Sequence, residues 1–280
     1  MGTRLLVCPP TFFSIDFAGN PWMTRNVGSA SADALRQWDR FIETLSVAAD
    51  VEFVTMDAVP HAPDLVFTSN AALICDGLAV VSSLRHPQQR RAQSLFRQHL
   101  AKIGFATTYL RQTYFEGSGD ALFDRVRPVL YAGYGWRSER SAVVQLQEIV
   151  GSRVMPLLLV DERFYHLDMA LGPLASGHVM VYMDAFSPHA QTLLRRSIDP
   201  AYLIEIGVDD ALAFACANVE IGDAVVMHSC TRRLRERLNH AGYRVFCTEL
   251  SEFHKAGAGA KTLTLKLDDG PAAGAVAATA

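Results

Sequence analysis

Short apolar runs rich in β-branched residues alternate with amphipathic stretches along nearly the whole chain, and this alternation limits the fold more than any other feature. The strand candidates are Leu5–Cys8, Val51–Met56, Leu65–Thr68, Leu78–Ser82, Val129–Tyr131, Val154–Val160, Val179–Met183, Tyr202–Ile206, Ala224–Met227, Arg244–Thr248 and Thr262–Leu267. Helices are expected over Ser31–Ala48, Gln88–Ile103, Glu139–Val150, Ala190–Arg196, Asp209–Ala217 and Thr231–Ala241. In the second helix Leu95, Phe96, Leu100 and Ile103 recur at helical spacing, with arginines on the other faces.

Such alternation normally indicates a doubly wound parallel sheet. Two features oppose that reading. Hairpin-like pairs recur, Leu65–Thr68 with Leu78–Ser82 and Tyr165–Met169 with Val179–Met183. The loop after the first strand is Pro9-Pro10-Thr11, which offers no glycine-rich phosphate cradle. Strand, hairpin and helix returning roughly every fifty residues suggest a blade-like repeat.

Half of the 280 residues are apolar, ample for a large core, and the formal charge of −3 gives no basic surface for nucleic acid or an anionic membrane. The five cysteines, Cys8, Cys75, Cys216, Cys230 and Cys247, form no CxxC or CxxxC pair, so neither a zinc knuckle nor a disulfide framework is indicated. Most sit in apolar runs, and Cys247 is expected to be buried in its strand. The apolar run at Leu5–Cys8 is too short for a signal-peptide core or a membrane span, so a reducing cytoplasm is the simplest compartment. The expected organisation is one domain over 1–269 and a mobile tail of small residues over 270–280.

Several segments place polar groups beside an apolar strand. In Phe115-Glu-Gly-Ser-Gly-Asp120 the carboxylates of Glu116 and Asp120 bracket three small residues. A tight turn there can aim both at one point, the arrangement a planar guanidinium needs. The plain alternative is a solvated acidic turn. In Phe164-Tyr-His-Leu-Asp168, His166 and Asp168 alternate along an expected strand and can share a face, pairing imidazole with carboxylate for acid–base work. The alternative is one structural histidine among nine.

Taken together, CPPTFFSIDFAGNPWM, APDLVFTSNAALI, FEGSGDALF, FYHLDMALGPL and SEFHKAGAGAKTLTL resemble, in order, the motifs of bacterial arginine dihydrolases and dimethylarginine dimethylaminohydrolases. These are relatives of amidinotransferases and arginine deiminases in the guanidine-modifying (pentein) superfamily. The resemblance reaches Leu267. It implies an α/β fold, a five-bladed propeller of ββαβ units around a channel, and an arginine-like small-molecule substrate. It implies no cofactor or metal, and leaves a homo-oligomer open. It also implies His166 as the proton carrier, Glu116 and Asp120 as the acidic grip, and substrate contacts from Asp64, Asn70, Arg90 and Arg137. Asn20 belongs to the NPWM motif of the dihydrolase branch.

At the nucleophile the chain departs from the pattern. Relatives end in SEY-x-K-x-x-GG-x-x-C, whereas this chain keeps the spacing and places Thr262 on the cysteine position. A thiol with pKa about 8.5 ionises readily beside a histidine, but a threonine hydroxyl must give its proton to a base during attack. The extra methyl also stiffens χ1. Cys230, near His228, has no catalytic role to carry over, and Lys261 beside Thr262 is expected to reach solvent. Two classes of function stay open: an enzyme that does without the covalent thiol step, by direct activation of water or with Thr262 as an acyl carrier, and a silent protein that binds arginine-like ligands. A purely structural role, as in a superfamily member that keeps ribosomal subunits apart, fits the full set of polar site residues less well.

Overall fold

The computed structural model describes residues 2–29 and 32–271, and within them the fifteen strands form five three-stranded sheets. All five are built alike. An inner strand pairs antiparallel with a middle strand, and the chain then returns through a helix to add an outer strand parallel to the middle one. The second blade shows the plan. Ala72–Cys75 runs antiparallel to Leu78–Val81, the helix Arg90–Lys102 crosses over, and Ala106–Tyr109 joins parallel to Leu78–Val81. The same order recurs in Ala121–Phe123, Val129–Tyr134 and Arg153–Leu158, and in Leu171–Pro173, Val179–Val181 and Leu203–Glu205. It recurs again in Val219–Ile221, Ala224–Met227 and Arg244–Cys247. In the remaining sheet Leu265–Lys266, the last strand among the described residues, pairs antiparallel with Thr3–Val7, which lies parallel to Val51–Thr55. The two ends of the chain thus close the ring, with Leu5 opposite Lys266 and Leu6 opposite Leu265. This is the five-bladed ββαβ propeller expected from the motifs.

Each crossover helix covers its sheet with one apolar face. On Ala34–Ala48, which begins just inside the expected Ser31–Ala48 (Ser31 itself lies outside the described residues), Trp38, Phe41, Leu45 and Ala48 are buried while Asp39, Arg40 and Glu43 face out. Each large apolar side chain so buried contributes about 1.5–3 kcal/mol. The inner and middle strands are buried on both faces, as in Ala72–Cys75 and Ala224–Met227, which is why they read as continuous apolar runs. No helix among the described residues is long and apolar enough to cross a membrane.

The hairpins differ from expectation in register. Leu65–Thr68 is not a strand: Pro63–Val66 and Thr68–Ala71 are 3-10 turns, and the true partner of Leu78–Val81 is Ala72–Cys75. The connection is Asp76-Gly77, both with positive φ (47° and 81°), a two-residue turn of the kind that suits strand twist. Tyr165–Met169 is likewise not a strand: Leu167–Met169 is a 3-10 turn ahead of the strand Leu171–Pro173, and Thr262 lies in the turn Lys261–Leu263 ahead of Leu265–Lys266. The expected tail begins at Gly270, whose N–H is bonded to Asp269 (3.1 Å); residues 272–280 lie outside the described residues.

Candidate functional site

These 3-10 turns build the site. Four inner strands are each preceded by one, Thr68–Ala71, Gly117–Gly119, Leu167–Met169 and Lys261–Leu263, so four blades offer equivalent positions at the same end of the ring. Asn70, Glu116 with Asp120, His166 with Asp168, and Thr262 occupy them. Neighbouring turns are tied together. Ser118 Oγ donates to the Ala72 carbonyl (3.0 Å), and Lys261 Nζ donates to the Ser118 carbonyl (2.7 Å). Gly119 permits the close approach: a Cβ there would stand 2.5 Å from Asn70 Oδ1 and 3.3 Å from His166 Nδ1.

His166 is buried at the centre. Its Nδ1 lies 3.1 Å from Asp120 Oδ1, and its Nε2 lies 3.4 Å from Glu116 Oε2 and 3.4 Å from Asn70 Nδ2. Asp120 is itself fixed, accepting from the Leu167 N–H (3.1 Å) and from Ser138 Oγ (2.5 Å). Glu116 accepts from the Arg85 N–H (3.0 Å) and from Arg137 Nη1 (3.0 Å). The Arg137 guanidinium also donates to the Gly19 carbonyl (3.0 Å) and lies 4.7 Å over the Tyr165 ring.

The electrostatics follow from this packing. Burial favours the neutral imidazole, but the Asp120 carboxylate, its hydrogen bond and Glu116 together hold the His166 pKa above its ordinary value. Burial also works to raise Glu116, yet Arg137 and His166 keep its carboxyl below the usual range. Asp64 has weaker help: burial, opposed by Arg137 and a bond from Gln89, leaves its pKa at about 7.

A small cavity lies against His166, walled also by Asn20, Asn70, Gln89, Arg137, Tyr165 and Thr262. Asn20, Arg137 and Tyr165 also border a wider cleft that includes Arg85, His86 and Trp136. The inner cavity therefore has a vestibule. Thr262 is buried, and its Oγ1 accepts the Gly259 N–H at 3.1 Å. Asn20 caps the helix Pro21–Asn26 through Trp22 and Met23, and its amide donates to the Ala256 carbonyl at 3.0 Å.

Four expected residues are used differently. Glu116 and Asp120 do not wall the cavity; they stand behind His166 and clamp it. Asp168 is not the partner of His166, because the turn that replaces the expected strand points its carboxylate to Lys261 Nζ, 3.7 Å away. Lys261 accordingly turns inward rather than to solvent. Burial raises the Asp168 pKa and lowers that of Lys261, each opposed by the other's charge. Arg90 is exposed at the start of its helix and borders neither cavity nor cleft, since its helix begins after the 3-10 turn Pro87–Gln89 that brings Gln89 inward instead.

Gln89, Tyr165, Arg85 and His86 are the site residues that sequence reasoning missed. Arg85-His86-Pro87 lies shortly after the end of the middle strand Leu78–Val81, and that X-Pro loop was the available indication. Among the described residues no group of three or more His, Cys, Asp or Glu side chains is arranged to hold a metal ion.

A sequence profile described as eukaryotic N,N-dimethylarginine dimethylhydrolase matches residues 13–263. The chain is 37% identical over 268 residues to the bifunctional arginine dihydrolase/ornithine cyclodeaminase ArgZ of Synechocystis sp., an alignment covering 95% of this chain and 38% of that protein. It thus spans about two fifths of the bifunctional relatives' length. It is 32% identical to the N(G),N(G)-dimethylarginine dimethylaminohydrolase of Mycobacterium tuberculosis, covering 94% of this chain and 85% of that one. Among solved structures, the N-terminal domain of ArgZ, crystallised as a cysteine-to-serine mutant with its substrate, superposes with a TM-score of 0.92 at 37% identity, covering 96% of this chain and 99% of that one. The fold is also that of a dimethylarginine dimethylaminohydrolase at TM-score 0.72 and 19% identity, covering 95% of this chain and 100% of that one. The chain belongs to the dimethylarginine dimethylaminohydrolase family of the guanidine-modifying pentein superfamily.

Proposed function

We propose that the chain is a C–N bond hydrolase acting on the guanidinium group of an arginine-like compound, with His166 as the proton carrier and water, not Thr262, as the nucleophile. The observation that carries this reading is His166, clamped between Asp120 and Glu116 at the wall of a small polar cavity. A group held toward its cationic form is a poor device for merely retaining a cation. It is a good one for moving a proton. A guanidinium arriving beside it lowers its pKa by charge repulsion and so releases the neutral base where it is needed. In the proposed step the water oxygen adds to the guanidinium carbon while His166 takes one of its protons. That proton then passes to the departing nitrogen, the C–N bond breaks, and an amine and a ureido product leave. Asn70 and Gln89 are the polar wall against which the guanidinium lies, Asp64 adds negative charge behind Gln89, and Arg137 faces the substrate's carboxylate from the vestibule side.

Thr262 occupies the position at which the family pattern carries cysteine, and its surroundings speak against an alkoxide. Its hydroxyl oxygen is bonded to Gly259 N–H and not to His166, whose ring nitrogens face Asp120, Glu116 and Asn70, so no base is placed to take its proton. The same observation favours a second reading, in which the pocket binds an arginine-like ligand without turnover. Arginine, methylated arginines, agmatine and citrulline are the substrates to test, with ammonia, amines, citrulline and ornithine as products. Under the hydrolase reading, Thr262→Val keeps most of the wild-type rate and His166→Ala loses it. Loss of all activity in Thr262→Val would return the attack to the threonine oxygen. Absence of turnover in the wild type would leave the binding reading.

A further inference from the structure

Away from this cavity, two cysteines that the proposed chemistry does not use meet at the edge of the fifth blade. Cys247 ends the outer strand Arg244–Cys247, opposite Met227 on the middle strand, and Cys230 follows Met227 in the loop leading to the helix Arg232–His240. Cys247 is exposed, contrary to the expectation of a buried thiol, and Cys230 is half-buried. Arg235, on that helix, donates through Nη2 to Cys247 Sγ at 3.0 Å. Its other terminal nitrogen is anchored on the Val245 carbonyl at 2.8 Å, so the guanidinium is held over the sulfur. Cys230, three residues beyond the Met227 that pairs with Cys247, lies near enough for its thiol to lower the Cys247 pKa. An anchored guanidinium thus meets one exposed sulfur with a second thiol beside it.

We propose that Cys247 and Cys230 form a thiol-oxidation site that reacts with hydroperoxides. The Cys247 thiolate attacks the distal peroxide oxygen, the O–O bond breaks, and the departing oxygen takes a proton and leaves as water or alcohol. Cys247 is then a sulfenic acid. The Cys230 sulfur attacks it, a second water leaves, and an intramolecular disulfide results, so one peroxide is reduced as two thiols are oxidised. Arg235 stabilises both the thiolate and the negative charge on the leaving oxygen.

The local electrostatics agree. The hydrogen bond from Cys230 lowers the Cys247 pKa most, burial opposes it, and Arg235 lowers it further, to about 6, while Cys230 is raised by the same partnership. Burial raises the other three thiols, Cys8, Cys75 and Cys216, which serve as internal controls.

The test is alkylation of the native protein by iodoacetamide across pH 4.5–10, with the modified residues read by mass spectrometry. The proposal expects Cys247 to react first, with a midpoint near pH 6 against about 8.5 for a free thiol, and expects Arg235→Gln to move that midpoint upward. Equimolar hydrogen peroxide should then yield a Cys230–Cys247 disulfide in the wild type. In Cys230→Ser it should instead yield a sulfenic acid on Cys247 trapped by dimedone. An ordinary alkylation midpoint at Cys247, or peroxide giving no intramolecular disulfide while the thiol stays free, overturns the proposal. Both readouts are independent of guanidine turnover.

Discussion

His166 Nδ1 stands 3.1 Å from Asp120 Oδ1, and the carboxylate also accepts the backbone N–H of Leu167 next to that histidine. Asp120 therefore sets both the orientation and the charge of the ring. Because the native pKa of His166 is raised, the pairing stabilises the fold fully below the unfolded value near 6.5, and that contribution is lost as pH rises through the native pKa. Asp120→Asn should bring the His166 midpoint down, followed by imidazole NMR, and shift the rising limb of any pH–rate profile to lower pH. An unmoved midpoint would separate Asp120 from the proton chemistry.

Glu116 and Arg137 form a fully buried ion pair at 3.0 Å. Removing one partner leaves an uncompensated charge, a loss of about 3–5 kcal/mol in comparable sites. Glu116→Gln should cost stability on that scale in urea unfolding. Arg90→Ala, at an exposed helix start, should change stability by under about 0.5 kcal/mol and leave ligand binding intact.

Asp64 supplies a second pH dependence with its own sign. Its native pKa of about 7 lies above the unfolded value, so the native state holds the proton more tightly and stability falls as pH rises from about 4 to about 7. Over the same window the site gains negative charge, and a cationic ligand such as arginine should bind more tightly. Calorimetric titration at pH 5.5 and 8 checks this; in Asp64→Asn the part of the gain that belongs to Asp64 should vanish.

Gly119→Ala should disturb the site more than the fold. The added methyl meets Asn70 Oδ1 at 2.5 Å and drives that amide from His166, so ligand affinity should drop at least tenfold. A variant binding with wild-type affinity would show that the Asn70–His166 contact is not needed.

The repeat of blades was legible from chain patterning, because middle strands buried on both faces must be continuous apolar runs, and ring closure came from the resemblance that the motifs carry. Hairpin register was not legible. Leu65–Thr68 is as apolar as a strand, and only the Asp76-Gly77 turn chemistry distinguishes Ala72–Cys75 as the true partner. That error carried into the site: reading the His166 segment as a strand placed Asp168 beside it, whereas the 3-10 turn sends Asp168 to Lys261 and lets Asp120, forty-six residues away, take its place. A carboxylate pair spaced like Glu116 and Asp120 looks the same in sequence whether it grips a ligand or clamps a histidine. Which one it does depends on the neighbouring blades.

The most direct test of the proposed hydrolase is product formation from arginine and methylated arginines by the wild-type protein beside His166→Ala and Thr262→Cys. The account predicts measurable turnover in the wild type, its loss in His166→Ala, and a faster rate in Thr262→Cys, where a thiolate nucleophile becomes available. Turnover confined to Thr262→Cys, with an inert wild type that still binds arginine, would contradict it and make the pocket a binding site.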